Sequence, residues 1–215
     1  MANLLNEEVQ GQIKEFLSRM KNPITMVLFT KEDPCETCKE TRQLLSEVAP
    51  LNDRITVIEK DINKDKTDAE KYGITLTPSF VVLDEQGDYL GVKFNGIPAG
   101  HEINSFLNAL IHMSGVELGL DEATIEKIRQ IDKKVDIKVF VTLSCPHCPG
   151  AVETAHKLAM LNKNIEGSMI EAQTFHELSN KYQVSGVPKI VINDKHELIG
   201  NQPLDAFLRE IANIK

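Results

Sequence analysis

The strongest constraint on this chain is a repeated spacing. Cys35-Glu36-Thr37-Cys38 and Cys145-Pro146-His147-Cys148 stand 110 residues apart, and Tyr72/Tyr182, Pro78/Pro188 and Asp84/Asp194 keep the same offset. In each half the first cysteine precedes the proline by 43 residues. A register held over that length reads as an internal duplication. Whatever one half folds into, the other should fold into as well.

The pattern inside each half alternates strands and helices. In the first, Asn6 to Met20 carries Val9, Ile13, Phe16, Leu17 and Met20 at helical spacing, and Asn22-Pro23 ends it. Ile24 to Thr30 is an apolar run of strand length, followed by the first CxxC and a helical pattern through Leu44, Leu45 and Val48. Ile55–Lys60 reads as a strand, Asp65–Tyr72 as a short helix and Ser79–Leu83 as a strand. A turn at Gln86-Gly87 leads to Tyr89–Phe94, and a closing helix carries Ile103, Phe106, Leu107, Leu110 and Ile111. The second half repeats this, opening on a helix Glu122–Ile131 and closing on Leu204, Phe207, Leu208 and Ile211. The expected fold is α/β: two units, 1–117 with the CETC site and 118–215 with the CPHC site, each a mixed central sheet with helices on both faces.

Composition narrows the function classes. The net charge of −8 argues against a nucleic-acid partner, and no apolar run is long enough to span a bilayer. The start, Met1 to Glu8, has neither a basic nor an apolar signal region, so a cytoplasmic location is expected. Structural disulfides are rare there, and CxxC pairs are more often catalytic or metal-binding. All four cysteines of the chain lie in the two pairs.

A cysteine at or near a helix N-terminus, as Cys145 should be, has its thiolate favoured by unpaired N–H groups and the peptide dipoles. A partner three residues on is close enough for a disulfide. The chemistry implied is exchange: Cys145 attacks, a mixed disulfide forms, and Cys148 resolves it. Cys35 and Cys38 repeat the arrangement. The surroundings differ. Glu32, Asp33, Glu36 and Glu40 crowd Cys35, offset in part by Lys31 and Lys39, whereas Pro146 and His147 separate the second pair and the next acid is Glu153. Negative charge disfavours a thiolate, while a donor such as His147 favours one. Cys145 is therefore expected to have the lower pKa and the second pair to be the more oxidising, with Glu36, Pro146 and His147 as tuning residues. Competing readings are one zinc held by four thiolates, purely structural bridges, and a peptide-binding or chaperone module with incidental cysteines. His101, His112, His156, His176 and His196 match no motif and read as surface or helix residues.

Strand, CxxC at a helix start, strand, helix, then x-Pro before an antiparallel hairpin and closing helix resembles the thioredoxin fold. The segments Tyr72 to Pro78 and Tyr182 to Pro188 look like the part carrying that fold's cis-proline. Two such units in one chain resemble the glutaredoxin-like protein disulfide oxidoreductases. The resemblance implies two redox-active dithiols and no bound cofactor. It implies Thr77-Pro78 and Val187-Pro188 as cis-proline edges for an extended substrate, protein disulfides or dithiols as substrates, and a thioredoxin-reductase-like flavoprotein as reductant. Tandem thioredoxin folds also resemble the shuttle domain of the flavoprotein that serves an alkyl-hydroperoxide peroxidase, though this chain has no Gly-rich flavin or nicotinamide fingerprint. Gly186 to Asn193 looks like glutaredoxin, which leaves a glutathione-linked role open. Thioredoxin's buried aspartate on the strand before its CxxC is replaced here by Phe29 and Val139. Glu59 is then a candidate proton acceptor at the first site, without a counterpart at Met169.

Overall fold

The computed structural model describes residues 3–32 and 34–214. Asn6 caps the first helix, α1 (Glu7–Leu17), its side chain accepting from the Val9 amide. Then follow β1 (Ile24–Thr30), α2 (Cys38–Val48), a 3-10 turn (Ala49–Leu51), β2 (Ile55–Asp61), α3 (Lys66–Lys71), β3 (Ser79–Leu83), β4 (Tyr89–Asn95), a second 3-10 turn (Gly100–Glu102) and α4 (Ile103–Met113). After Asp121, which caps as Asn6 does, come α5 (Glu122–Arg129), β5 (Val135–Val141), α6 (Cys148–Leu161), β6 (Ile165–Glu171), α7 (His176–Lys181), β7 (Lys189–Ile192), β8 (His196–Ile199) and α8 (Leu204–Ala212).

Apart from the edge strands β2 and β8, the strands are largely buried on both faces, and their alternation sorts the helices. Met26, Leu28, Phe80, Val82 and Phe94 point into a large cluster with Leu17 of α1, Leu44 and Leu45 of α2, Phe106 and Leu110 of α4 and Ala151 and Ala155 of α6. Val27, Phe29, Val81 and Leu83 face the other way, onto Ala69 of α3 and Tyr72. Phe140, Ile170 and Val191 do the same against Phe175, Leu178 and Tyr182. Both CxxC helices thus lie on one face of the sheet, and α3 and α7 lie on the other.

The sequence pattern predicts two sheets. The structure joins them into one of eight strands, in the order β2-β1-β3-β4-β6-β5-β7-β8. The join is β4 against β6, parallel, with Val92 opposite Gly167 and Asn95 opposite Ile170. Tracing the pairings, β1 is antiparallel to β3, β3 antiparallel to β4, β4 parallel to β6 and β6 parallel to β5. β1 and β5 therefore run the same way, and both CxxC turns leave the same end of the sheet. Four strand spacings separate them, roughly 19 Å. That distance keeps one ion from reaching all four sulfurs, so the single-zinc reading does not hold.

Candidate redox site

Each CxxC pair is a disulfide, with Cα atoms 5.6 Å apart for Cys35–Cys38 and 5.5 Å for Cys145–Cys148, inside the range a bridge requires. The helices begin at the second cysteine of each pair, so Cys35 and Cys145 stand in the preceding turn, one turn short of the expected helix start. Cys38, Cys145 and Cys148 are buried and Cys35 is half-buried, which leaves Cys35 the more open of the two leading sulfurs.

The loops differ in backbone. Thr37 has φ 62°, a left-handed conformation that a β-branched residue rarely adopts, and its hydroxyl and that of Thr41 are buried without a partner. His147 keeps an ordinary right-handed conformation, with φ −95°. Glu36, Pro146 and His147 are all exposed. The His147 side chain makes no capping bond to α6.

The first disulfide floors a charged cleft of about 630 Å³ lined by Lys31, Lys39, Arg42 and Glu59 among others. Glu59 lies beside the disulfide, as expected, but it is already engaged. Arg42 donates to both its oxygens at 2.6–2.9 Å, and the Thr30 hydroxyl donates at 2.9 Å. The Arg42 hydrogen bonds hold its carboxyl below the usual range. A carboxylate kept ionised in this way is a weak base at neutral pH, which disfavours Glu59 as the proton acceptor.

Thr77-Pro78 and Val187-Pro188 are both cis. Thr77 and Val187 are half-buried at the lip of their loops. The Pro78 carbonyl accepts from the Gly96 amide at 2.9 Å, and the Pro188 carbonyl from the Gly200 amide at 2.8 Å. Gly96 has φ 90°, and a Cβ there would come within 2.7 Å of Glu171 Cβ, so β6 of the second half packs directly behind the first proline loop.

The reverse contact exists too. The 3-10 turn Gly100–Glu102 packs against α6, and the His101 amide donates to the Leu143 carbonyl at 2.9 Å, two residues before Cys145. That turn carries Glu102, which is fully buried. Ser105 donates to one carboxyl oxygen, and the other has no partner. Burial pushes the Glu102 carboxyl up to about 7, against the Ser105 hydrogen bond, which lowers it. Sequence reasoning missed this residue. The signal was legible: Glu102 falls in line with Phe106, Ala109 and Met113, an acid on the buried stripe of a helical pattern. At the head of the closing helix of the second half the corresponding place is taken by Pro203. His156 of α6 is likewise buried rather than at the surface, its Nε2 3.2 Å from the Lys93 carbonyl.

Known proteins share this geometry. Residues 135–213 match the thioredoxin domain family. The whole chain superposes on the AhpF protein of the Enterococcus faecalis alkylhydroperoxide reductase with a TM-score of 0.91 at 28% identity, covering 96% of this chain and 99% of that one. This chain is two thioredoxin folds in tandem. A protein disulfide oxidoreductase from Aeropyrum pernix superposes on the same tandem fold with a TM-score of 0.90 at 27% identity, covering 98% of this chain and 93% of that one. The corresponding alkyl hydroperoxide reductase protein of Staphylococcus aureus is 28% identical over 210 residues, 98% of this chain but 38% of that protein. A NADH dehydrogenase of Bacillus subtilis is 26% identical over the same shares. The tandem fold thus spans about 38% of the length of these curated relatives. Its redox-active groups are its own disulfides; among the described residues no cluster of three His, Cys, Asp or Glu is placed to hold a metal, and no helix is long and apolar enough to cross a membrane.

Proposed function

We propose that this protein is a thiol–disulfide oxidoreductase acting on protein substrates, with Cys35/Cys38 and Cys145/Cys148 as two catalytic pairs in the units 1–117 and 118–215. The observation that carries the reading is the repeated grouping of a CxxC disulfide at the head of a helix with a cis-proline loop in each unit. In the reduced protein the leading thiolate attacks a substrate disulfide and releases one substrate thiolate. The second cysteine, as thiolate, attacks the mixed disulfide, releases the other and leaves the protein disulfide. The substrate gains two electrons and two protons, and the protein dithiol loses them.

Thr77 and Val187 present backbone edges to the extended substrate, in the manner of an added strand. Pro78 and Pro188 hold those edges in place. At the second site Glu102, buried in the turn that packs against α6, is the candidate to take the Cys148 proton, its carboxyl pushed up to about 7 by burial. Pro146 and His147 favour the Cys145 thiolate, and Glu36 disfavours that of Cys35. A reducing compartment, the cytoplasm, suits a chain whose every cysteine belongs to an exchange pair.

The test is insulin reduction by dithiothreitol. The parent accelerates it, each pair-to-serine variant retains part of the rate, and the variant with all four cysteines changed to serine has none. Equal rates for the parent and the four-serine variant would sink the proposal. A second reading is favoured by the Staphylococcus aureus relative: a carrier of electrons from a flavoprotein reductase to a peroxidase. Peroxide consumption that requires this chain, a flavoprotein and a peroxidase together supports that reading. Turnover with glutathione as the only reductant would instead mark the glutaredoxin-like role.

A further inference from the structure

We propose that a cavity between the first proline loop and α7 is a side-chain subsite for polypeptide substrates of the Cys35/Cys38 pair. This rests on the reading of Thr77 as a substrate-backbone edge. The cavity is about 430 Å³, room for one or two side chains, and its apolar wall is Leu76 on one side and Phe175 and Leu178 on the other. Leu76 is the residue immediately before Thr77. A peptide paired to that edge runs past Leu76 and delivers a side chain to the cavity within one or two residues, at about 3.3 Å per residue. A small disulfide has no such chain to deliver, so an extended polypeptide with an apolar side chain near its cysteine is the occupant that fits. His176 and Lys181 at the rim leave the mouth polar.

The wall is fixed to the loop. The Pro78 carbonyl holds the Gly96 amide, and Gly96 lies against Glu171 and Phe175. The Ser79 hydroxyl donates to Asn95 Oδ1 at 2.7 Å, and Asn95 Nδ2 donates to the Met169 carbonyl at 3.0 Å. The second half thus supplies one side of the first half's substrate groove. The second site gets no such wall: β8, the counterpart of β4, is the last strand of the sheet, with no neighbour beyond it among the described residues. The consequence is a division of labour. The first pair selects its polypeptide and the second accepts disulfides with less discrimination.

The full chain tests this with one pair active at a time. In the Cys145→Ser/Cys148→Ser protein, kcat/KM is measured for insulin and for hydroxyethyl disulfide, and their ratio is compared with that of the same protein carrying Leu76→Ser or Leu178→Ser. The ratio should fall roughly tenfold in each variant, the scale on which apolar pockets discriminate. The same substitutions in the Cys35→Ser/Cys38→Ser protein should leave the ratio unmoved. Leu76 is half-buried and outside the apolar clusters, so its variant keeps the test alive if Leu178→Ser does not fold. An unchanged ratio in folded Leu76→Ser protein, or an equal fall at the second site, overturns the subsite. If the first-pair parent reduces neither disulfide, the catalytic reading of Cys35/Cys38 has failed instead.

Discussion

Lys93 Nζ of β4 lies 2.8 Å from Glu166 Oε1 of β6, an ion pair across the seam where the two halves of the sheet meet. The lysine is 4% exposed and also donates to the Gly73 carbonyl at 3.1 Å, while the Tyr89 hydroxyl donates to the other Glu166 oxygen. The partners are unequal, because only the ammonium is deeply buried.

Removing the carboxylate strands that ammonium. Glu166→Ala should cost about 3 kcal/mol, the usual penalty for an uncompensated buried charge. Lys93→Met, which removes the buried charge and keeps most of the packing, should cost distinctly less. Urea denaturation midpoints of the two variants decide it: equal losses would mean that the seam does not depend on desolvation of Lys93.

Glu102 links stability to function in opposite directions. Its folded-state carboxyl, pushed up to about 7, stays protonated after the unfolded chain has lost its proton near 4.5. The stability it confers is full below about pH 4.5 and is lost as pH rises through 7, a fall of about 3 kcal/mol. Glu102→Gln should remove that fall and be the more stable protein at pH 8. It should also slow the second site on the order of 100-fold, since an amide takes no proton. A variant that gains stability and keeps the second-site rate would free Glu102 of its proton-acceptor role.

His156 slopes the other way. Burial lowers its imidazole to about 4, against the hydrogen bond to the Lys93 carbonyl. The unfolded chain takes up a proton near 6.5 that the folded one refuses, so stability is full above 6.5 and falls by about 3 kcal/mol toward pH 4. Over the shared window the two groups offset one another. Thermal melts should then show His156→Leu losing stability as pH rises and Glu102→Gln losing it as pH falls. Parallel profiles for parent and variants would contradict both assignments.

Gly100 reports on the contact that carries Glu102. Its φ is 58°, and a Cβ there would collide with the Leu143 carbonyl, two residues before Cys145. Gly100→Ala must move the CPHC turn or the Gly100–Glu102 turn. Insulin reduction by the second pair alone should drop at least about tenfold, the usual sensitivity to ångström-scale misplacement. The first pair should be little affected. Equal losses at both pairs would point to general unfolding.

Local rules were enough to read the repeat, the order of strands and helices, both cysteine pairs and both prolines from the chain alone. Those rules are side-chain periodicity, breakers such as Asn22-Pro23, and a spacing short enough for i,i+3 sulfurs to meet. They left open how the halves meet, because parallel pairing of β4 with β6 joins residues more than 70 positions apart and leaves no periodic mark in either strand. From that one pairing come the shared end for both disulfides, Gly96 against Glu171, and the turn of the first half that brings Glu102 against α6. A carboxyl's proton affinity depends on what surrounds it, so Glu102, which periodicity can place on the buried stripe of a helix, titrates near neutral pH only once the second half covers it.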